Sequence, residues 1–96
     1  MPAVVHDPTA QKFTIPLGQD KETLLAYTEV NQTWDCHTII VPEEFRGQGL
    51  AEALATAAFQ KARSLGMRIL PSCPYLRERF LPRHPEFSDV VTQQVV

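Results

Sequence analysis

No apolar run in this chain approaches the ~20 residues that a bilayer-spanning helix needs. The opening stretch Met1-Pro2-Ala3-Val4-Val5-His6-Asp7 has neither the basic start nor the apolar run of a secretory leader. Two cysteines, Cys36 and Cys73, can make one bridge at most and no disulfide framework. A reducing cytoplasm, away from any membrane, is therefore the expected setting. Strong basic charge is missing too: the net charge of −2 argues against a dedicated nucleic-acid binder. There is no repeat, low-complexity tract or linker, so residues 1–96 are expected to form one domain around one core.

What is present is an ordinary globular composition, 44% hydrophobic and 21% charged. The charges are uneven. Lys61, Arg63, Arg68, Arg77, Arg79 and Arg83 crowd one stretch against a single acid, Glu78, while the N-terminal half is acidic. A basic half in a near-neutral chain suits a small polyanion better than a long duplex.

Lys12 to Leu17 reads as a strand closed by the turn cluster Gly18-Gln19-Asp20, and Thr23 to Val30 reads as its antiparallel partner, closed by Asn31-Gln32. Thr33 to Val41 is expected as a third strand. Alternation places Trp34, Cys36, Thr38 and Ile40 on one face and Asp35, His37, Ile39 and Val41 on the other. Trp34 is expected to be partly exposed, or part of an acceptor wall. Gly47 to Leu65 carries helical apolar spacing through Leu50, Leu54, Ala58 and Leu65, with Gly66 placed for a left-handed C-cap. Met67 to Leu70 is a short strand, and Tyr75 to Leu81 a short helix with Pro74 in its first turn. The tail from Phe87 to Val96 adds an edge strand or stays loose. Strand, helix, strand from Thr33 to Leu70 makes a right-handed crossover with parallel strands. The expected fold class is thus α/β: a mixed sheet of four or five strands, one long helix and one short C-terminal helix.

The segment joining the third strand to the long helix carries the chemistry. Val41-Pro42-Glu43-Glu44-Phe45-Arg46-Gly47-Gln48-Gly49-Leu50-Ala51 runs from an apolar strand through a glycine turn into a helix start. Backbone N–H groups in such a turn can cradle phosphate, helped by the free amides and dipole of the first helical turn. A P-loop would need Lys-Ser/Thr after the last glycine, and a dinucleotide fingerprint a small residue where Glu52 stands; neither is present. Arg46-Gly47-Gln48-Gly49-Leu50-Ala51 does match Arg/Gln-x-x-Gly-x-Gly/Ala at every specified position.

That pattern resembles the pyrophosphate loop of the GNAT superfamily of acyl-CoA-dependent N-acyltransferases. With His37-Thr38, Pro71-Ser72-Cys73-Pro74-Tyr75 and Arg83-His84-Pro85-Glu86, the chain is similar to a minimal single-domain subgroup from about Phe13 to Glu86. The two helices that usually follow the first strand in larger members, and help wall the acceptor, have no room here. The resemblance implies acetyl-CoA as co-substrate, lying between a splayed parallel pair formed by Thr33–Val41 and Met67–Leu70. Its diphosphate would rest on Arg46, Gly47, Gln48, Gly49, Leu50 and Ala51, and its pantetheine arm along Ile39, Ile40 and Val41. The activity implied is acetyl transfer to a primary amine of a small molecule or protein; the rival is a module that holds acyl-CoA without turnover.

Three residues are candidates for catalysis. Cys73, before the short helix, is placed for a depressed thiol pKa, so it could accept the acetyl group or protonate the departing thiolate; it could equally be an inert packing residue. His37 could take a proton from an ammonium acceptor, though a strand histidine is often structural. Tyr75 could act as acid toward the CoA sulfur or simply pack. Cys36, His37, Cys73 and His84 lack zinc-ligand spacing, so no metal is expected. A monomer or a homodimer fits the exposed edges a small sheet leaves.

Overall fold

Residues 3–93 are described in a computed structural model. Among them five strands form one sheet in chain order: β1 (Val5–Asp7), β2 (Lys12–Gly18), β3 (Lys21–Val30), β4 (Thr33–Ile40) and β5 (Arg68–Leu70). The first four are antiparallel neighbours, while β4 and β5 run parallel, joined through α1 (Leu50–Leu65). The mixed sheet, long helix and parallel pair follow the sequence expectation.

The β2–β3 and β3–β4 hairpins turn on residues with left-handed backbone: Gln19 and Asp20 (φ 54° and 62°), then Asn31 and Gln32 (φ 50° and 60°). Two consecutive positive φ values twist the chain in the sense that paired strands require. The strand β1 was not foreseen. It is three residues long and pairs with β2, and the His6 ring stacks on Phe13 at 4.1 Å and bonds the Tyr27 hydroxyl at 2.8 Å.

Phe13, Ile15, Leu25, Tyr27, Trp34 and Ile69 are buried with Leu54, Ala55, Ala58, Phe59 and Ala62 of α1. Trp34 is 2% exposed, with its indole N–H donating to Glu29 at 3.0 Å, so it is a core residue rather than a partly exposed one. The helix ends as expected at Gly66 (φ 72°), where Met67 N–H donates to Ala62 O and Gly66 N–H to Arg63 O. These two bonds make a Schellman cap.

Two local corrections matter for function. First, Ala26 pairs with Thr38 but Tyr27 with Cys36, so His37 is an unpaired extra residue in β4. A bulge of this kind breaks alternation. Trp34 and Cys36 are buried, but beyond the bulge Ile39 packs toward the core and Ile40 is 51% exposed. The expected grouping of Trp34, Cys36, Thr38 and Ile40 on one face therefore fails after Cys36. Second, α1 opens at Leu50 and not at Gly47. Gly47 (φ 83°) and Gly49 (φ 76°) take a conformation that cannot continue a right-handed helix.

After β5 the chain forms α2 (Leu76–Phe80), a π-helical turn of 5 residues. A segment so short has no helical stability of its own. Burial holds it: Phe80 meets Phe59 of α1 at 5.3 Å, and Leu76 is fully covered. Each such side chain contributes about 1.5–3 kcal/mol. Tight 3₁₀ turns over Leu81–Arg83 and Pro85–Val90 carry the chain back along α1, where Arg63 lies over Phe87 at 5.1 Å. Of the expected edge strand in the tail, one parallel bridge, Ile69 to Val91, is present; residues 94–96 lie outside the described residues.

Burial, helped by the charge of Lys61, lowers the His6 pKa below 6.5. A depressed folded-state pKa means that the unfolded chain binds the proton more readily, so stability present above pH 6.5 is lost as pH falls through the folded value. Urea melts at a series of pH values should show this loss in the wild type and a shallower one in His6→Gln; parallel pH profiles would contradict the assignment.

Candidate active site

The register of β4 with β5 stops at Asp35 and Leu70, and one more bond, Cys73 N–H to Cys36 O at 2.9 Å, holds the two segments together. After Cys73 the second chain leaves the sheet, where Leu76 N–H donates to Cys73 O at 3.0 Å. Past Cys36, β4 continues to Ile40 with no described strand along that edge. The parallel pair is thus splayed, and the bulge at His37 sits where it opens.

A groove of about 520 Å³ begins at this gap, within the range of small-molecule sites. Ile39 and Val41 of the strand end form one wall, and Arg46, Gly47, Gly49, Leu50 and Ala51 form the next. Tyr75, Arg79 and Arg83 close the far side, with Glu52 between. The first hydrogen bond of α1 is Ala53 N–H to Gly49 O at 3.0 Å. The amides of Leu50, Ala51 and Glu52 therefore have no acceptor within the helix, as any helix start requires. A side chain placed on Gly47 or Gly49 would meet no heavy atom within 4 Å, so the space above the turn is open. Arg46 reaches back to Val41 O at 3.4 Å and brings its charge to the strand end.

The far wall is electrostatically tuned. Burial, and then the nearby Glu52 carboxylate, raise the Tyr75 pKa above its ordinary value of 10.0, while Arg83 and Arg79 pull the other way. The phenol stays protonated at neutral pH and is a proton donor. Arg83 Nε donates to the main-chain Arg79 O at 3.1 Å, which holds the Arg83 side chain on that edge of the groove. Glu52 accepts from His84 Nε2 at 2.9 Å, and that bond holds its carboxyl below the usual range.

The residues singled out from sequence divide cleanly. Ile39, Val41, Arg46, Gly47, Gly49, Leu50, Ala51 and Tyr75 share the groove. Gln48 lines a neighbouring hollow with Val4 and Thr56. Ile40 is turned outward, and its carbonyl accepts the Thr23 hydroxyl at 2.6 Å. Cys73 does not line the groove. It is 7% exposed, and the adjacent Arg77 donates to Pro71 O and Ser72 O. His37 is exposed, bonded to Thr28 and Thr38, away from the groove. The groove also holds Glu52, Arg79 and Arg83, which the sequence reading left out of the site. Arg79 and Arg83 stand four apart, the spacing that places two side chains on one helical face. Nothing local says that this face meets the glycine turn.

A strand thus parts from its parallel neighbour beside a glycine-held helix start. The family model for GCN5-related N-acetyltransferases matches residues 12–90, and the chain belongs to that family. It is an enzyme of the transferase class. The solution NMR structure of a GCN5-like protein from Staphylococcus aureus superposes with a TM-score of 0.73 at 22% identity, over 96% of this chain and 89% of that one, which shows a shared fold.

The burial of Cys73 has a direct chemical consequence. Iodoacetamide should label it slowly in the folded protein and at the rate of a free thiol after denaturation, read by mass spectrometry of tryptic peptides. Fast labelling of the native protein would mean that the thiol is open to solvent.

Proposed function

We propose that the protein transfers an acetyl group from acetyl-CoA to a primary amine, by direct attack of the amine on the thioester. The observation that carries this reading is the continuity of the open β4 edge, the glycine turn and Tyr75 in one groove. The residues present fit the donor. The turn offers unpaired amides to a diphosphate, and the groove adds Arg46, Arg79 and Arg83. The free edge of β4 offers main-chain donors and acceptors to the amides of an extended arm, as an added strand would find them.

Each residue then has a defined task. Arg46 through Ala51 bind and orient the donor. Main chain near Ile39 to Val41 holds the thioester carbonyl, and a backbone N–H aimed at its oxygen stabilises the charge that develops there. The amine nitrogen forms the new C–N bond, the C–S bond breaks, and the departing sulfur takes the phenolic proton of Tyr75. His37 faces the side of the sheet that bears no helix. Thr28 and Thr38 hold its ring there, so the proton that the amine releases passes to water, which can relay it to His37. Catalysis rests chiefly on placing amine and thioester together. Cys73, buried outside the groove, packs and does not carry the acetyl group.

Steady-state kinetics with a panel of primary amines test this. Tyr75→Phe should lower kcat by about 100-fold with KM for acetyl-CoA little changed, the usual worth of a positioned acid. Cys73→Ala should keep activity within a few-fold. Loss of transfer in Cys73→Ala with donor affinity intact would assign the step to a covalent route. A wild type that binds CoA but acetylates no amine would leave a binding module without turnover.

A further inference from the structure

Glu52 is the one acid among the residues lining a groove that also carries Arg46, Arg79 and Arg83. It stands in the first turn of α1, one residue past the glycine loop. A carboxylate there competes with a bound anion for the same helix end and the same arginines. The groove contains it through His84. That ring stacks on Phe80 at 4.3 Å and 18°, places Nε2 2.9 Å from Glu52, and places Nδ1 3.2 Å from Glu86. With a carboxylate at each nitrogen, the doubly protonated ring satisfies both bonds. A neutral ring must turn one lone pair toward a negative oxygen.

We propose that His84 is a positioning residue that sets the groove's affinity for the donor, acting through Glu52. This rests on the reading of the groove as the acetyl-CoA site. Protonated His84 holds and neutralises Glu52, and the loop then faces the diphosphate with its arginines unopposed. Neutral His84 leaves a bare carboxylate beside the loop, and the diphosphate is repelled.

The surroundings agree. The bond to Glu52 raises the His84 pKa above 6.5, with partial burial opposing and Glu86 adding to the rise. From α1, Glu52 faces the ring, while Arg63 is occupied by Asp89 and the Glu86 carbonyl. Tyr75 just before α2, Arg79 within it and Arg83 in the turn after it lie on the Glu52 side. Glu86 closes the other nitrogen. Of these groups His84 is the one whose charge changes near neutral pH.

Linkage gives a test that needs no turnover: if protonated His84 favours the donor, bound donor must favour protonated His84 by the same factor. Dephospho-CoA is the probe, because its diphosphate does not titrate between about pH 6 and 8 and lacks the titrating 3′-phosphate. The His84 ring signals, assigned by their loss in His84→Gln, are followed by NMR with and without saturating probe. The expected result is a His84 pKa higher by about half to one unit in the complex, which equals about three- to tenfold tighter binding to the protonated form. Glu52→Gln should abolish this shift and make Kd nearly independent of pH. A probe-saturated protein whose His84 pKa is unmoved or lowered overturns the proposal while leaving the donor site standing. No binding at any pH, in a protein with an intact spectrum, overturns the donor site and this inference with it.

Discussion

Two glycines in left-handed conformation hold the functional end of this molecule together. Gly47 and Gly49 end the connection from β4 and delay α1 until Leu50, with open space above both glycines and the helix start lining the groove. A β-branched side chain at either position would strain a backbone that glycine adopts freely. The rest of the site is arranged around that turn.

The bulge and the short helix supply what the turn alone lacks. Without the extra residue at His37, strict alternation would continue, and Ile39 and Val41 would not face the groove as they do. Without the packing of Phe80 on Phe59, nothing would hold a 5-residue helix against α1, and Tyr75, Arg79 and Arg83 would not reach the glycine turn. Function in this small chain therefore depends on the same apolar contacts that stabilise it. The segment after β5 serves as both core and groove wall.

Features written in local chemistry were legible from the sequence. The turns at Gln19-Asp20 and Asn31-Gln32, the helical spacing of α1 and the glycine stop at Gly66 each follow from residue preferences over a few positions. The glycine turn ahead of α1 was legible in the same way, while what it binds belongs to the proposed function. What depends on contacts distant in sequence was hidden. In β1, His6 meets Phe13 and Tyr27. The bulge at His37, which breaks the alternation of β4, has no turn or breaker residue beside it to announce it. The approach of His84 to Glu52 spans 32 residues, and only the folded path of α2 along α1 creates it. Cys73 shows the limit of local reasoning: its place before a helix suggested a reactive thiol, but folding buries it beside Cys36.

The central claim is that main-chain amides at the start of α1 hold the diphosphate of coenzyme A. A titration of ¹⁵N-labelled protein with CoA, followed by amide chemical shifts, addresses it most directly. The account predicts the largest changes at Gly47, Gly49, Leu50 and Ala51, with smaller ones along Ile39 to Val41. Saturable binding that leaves those amides unmoved, or no binding at millimolar CoA, would contradict it.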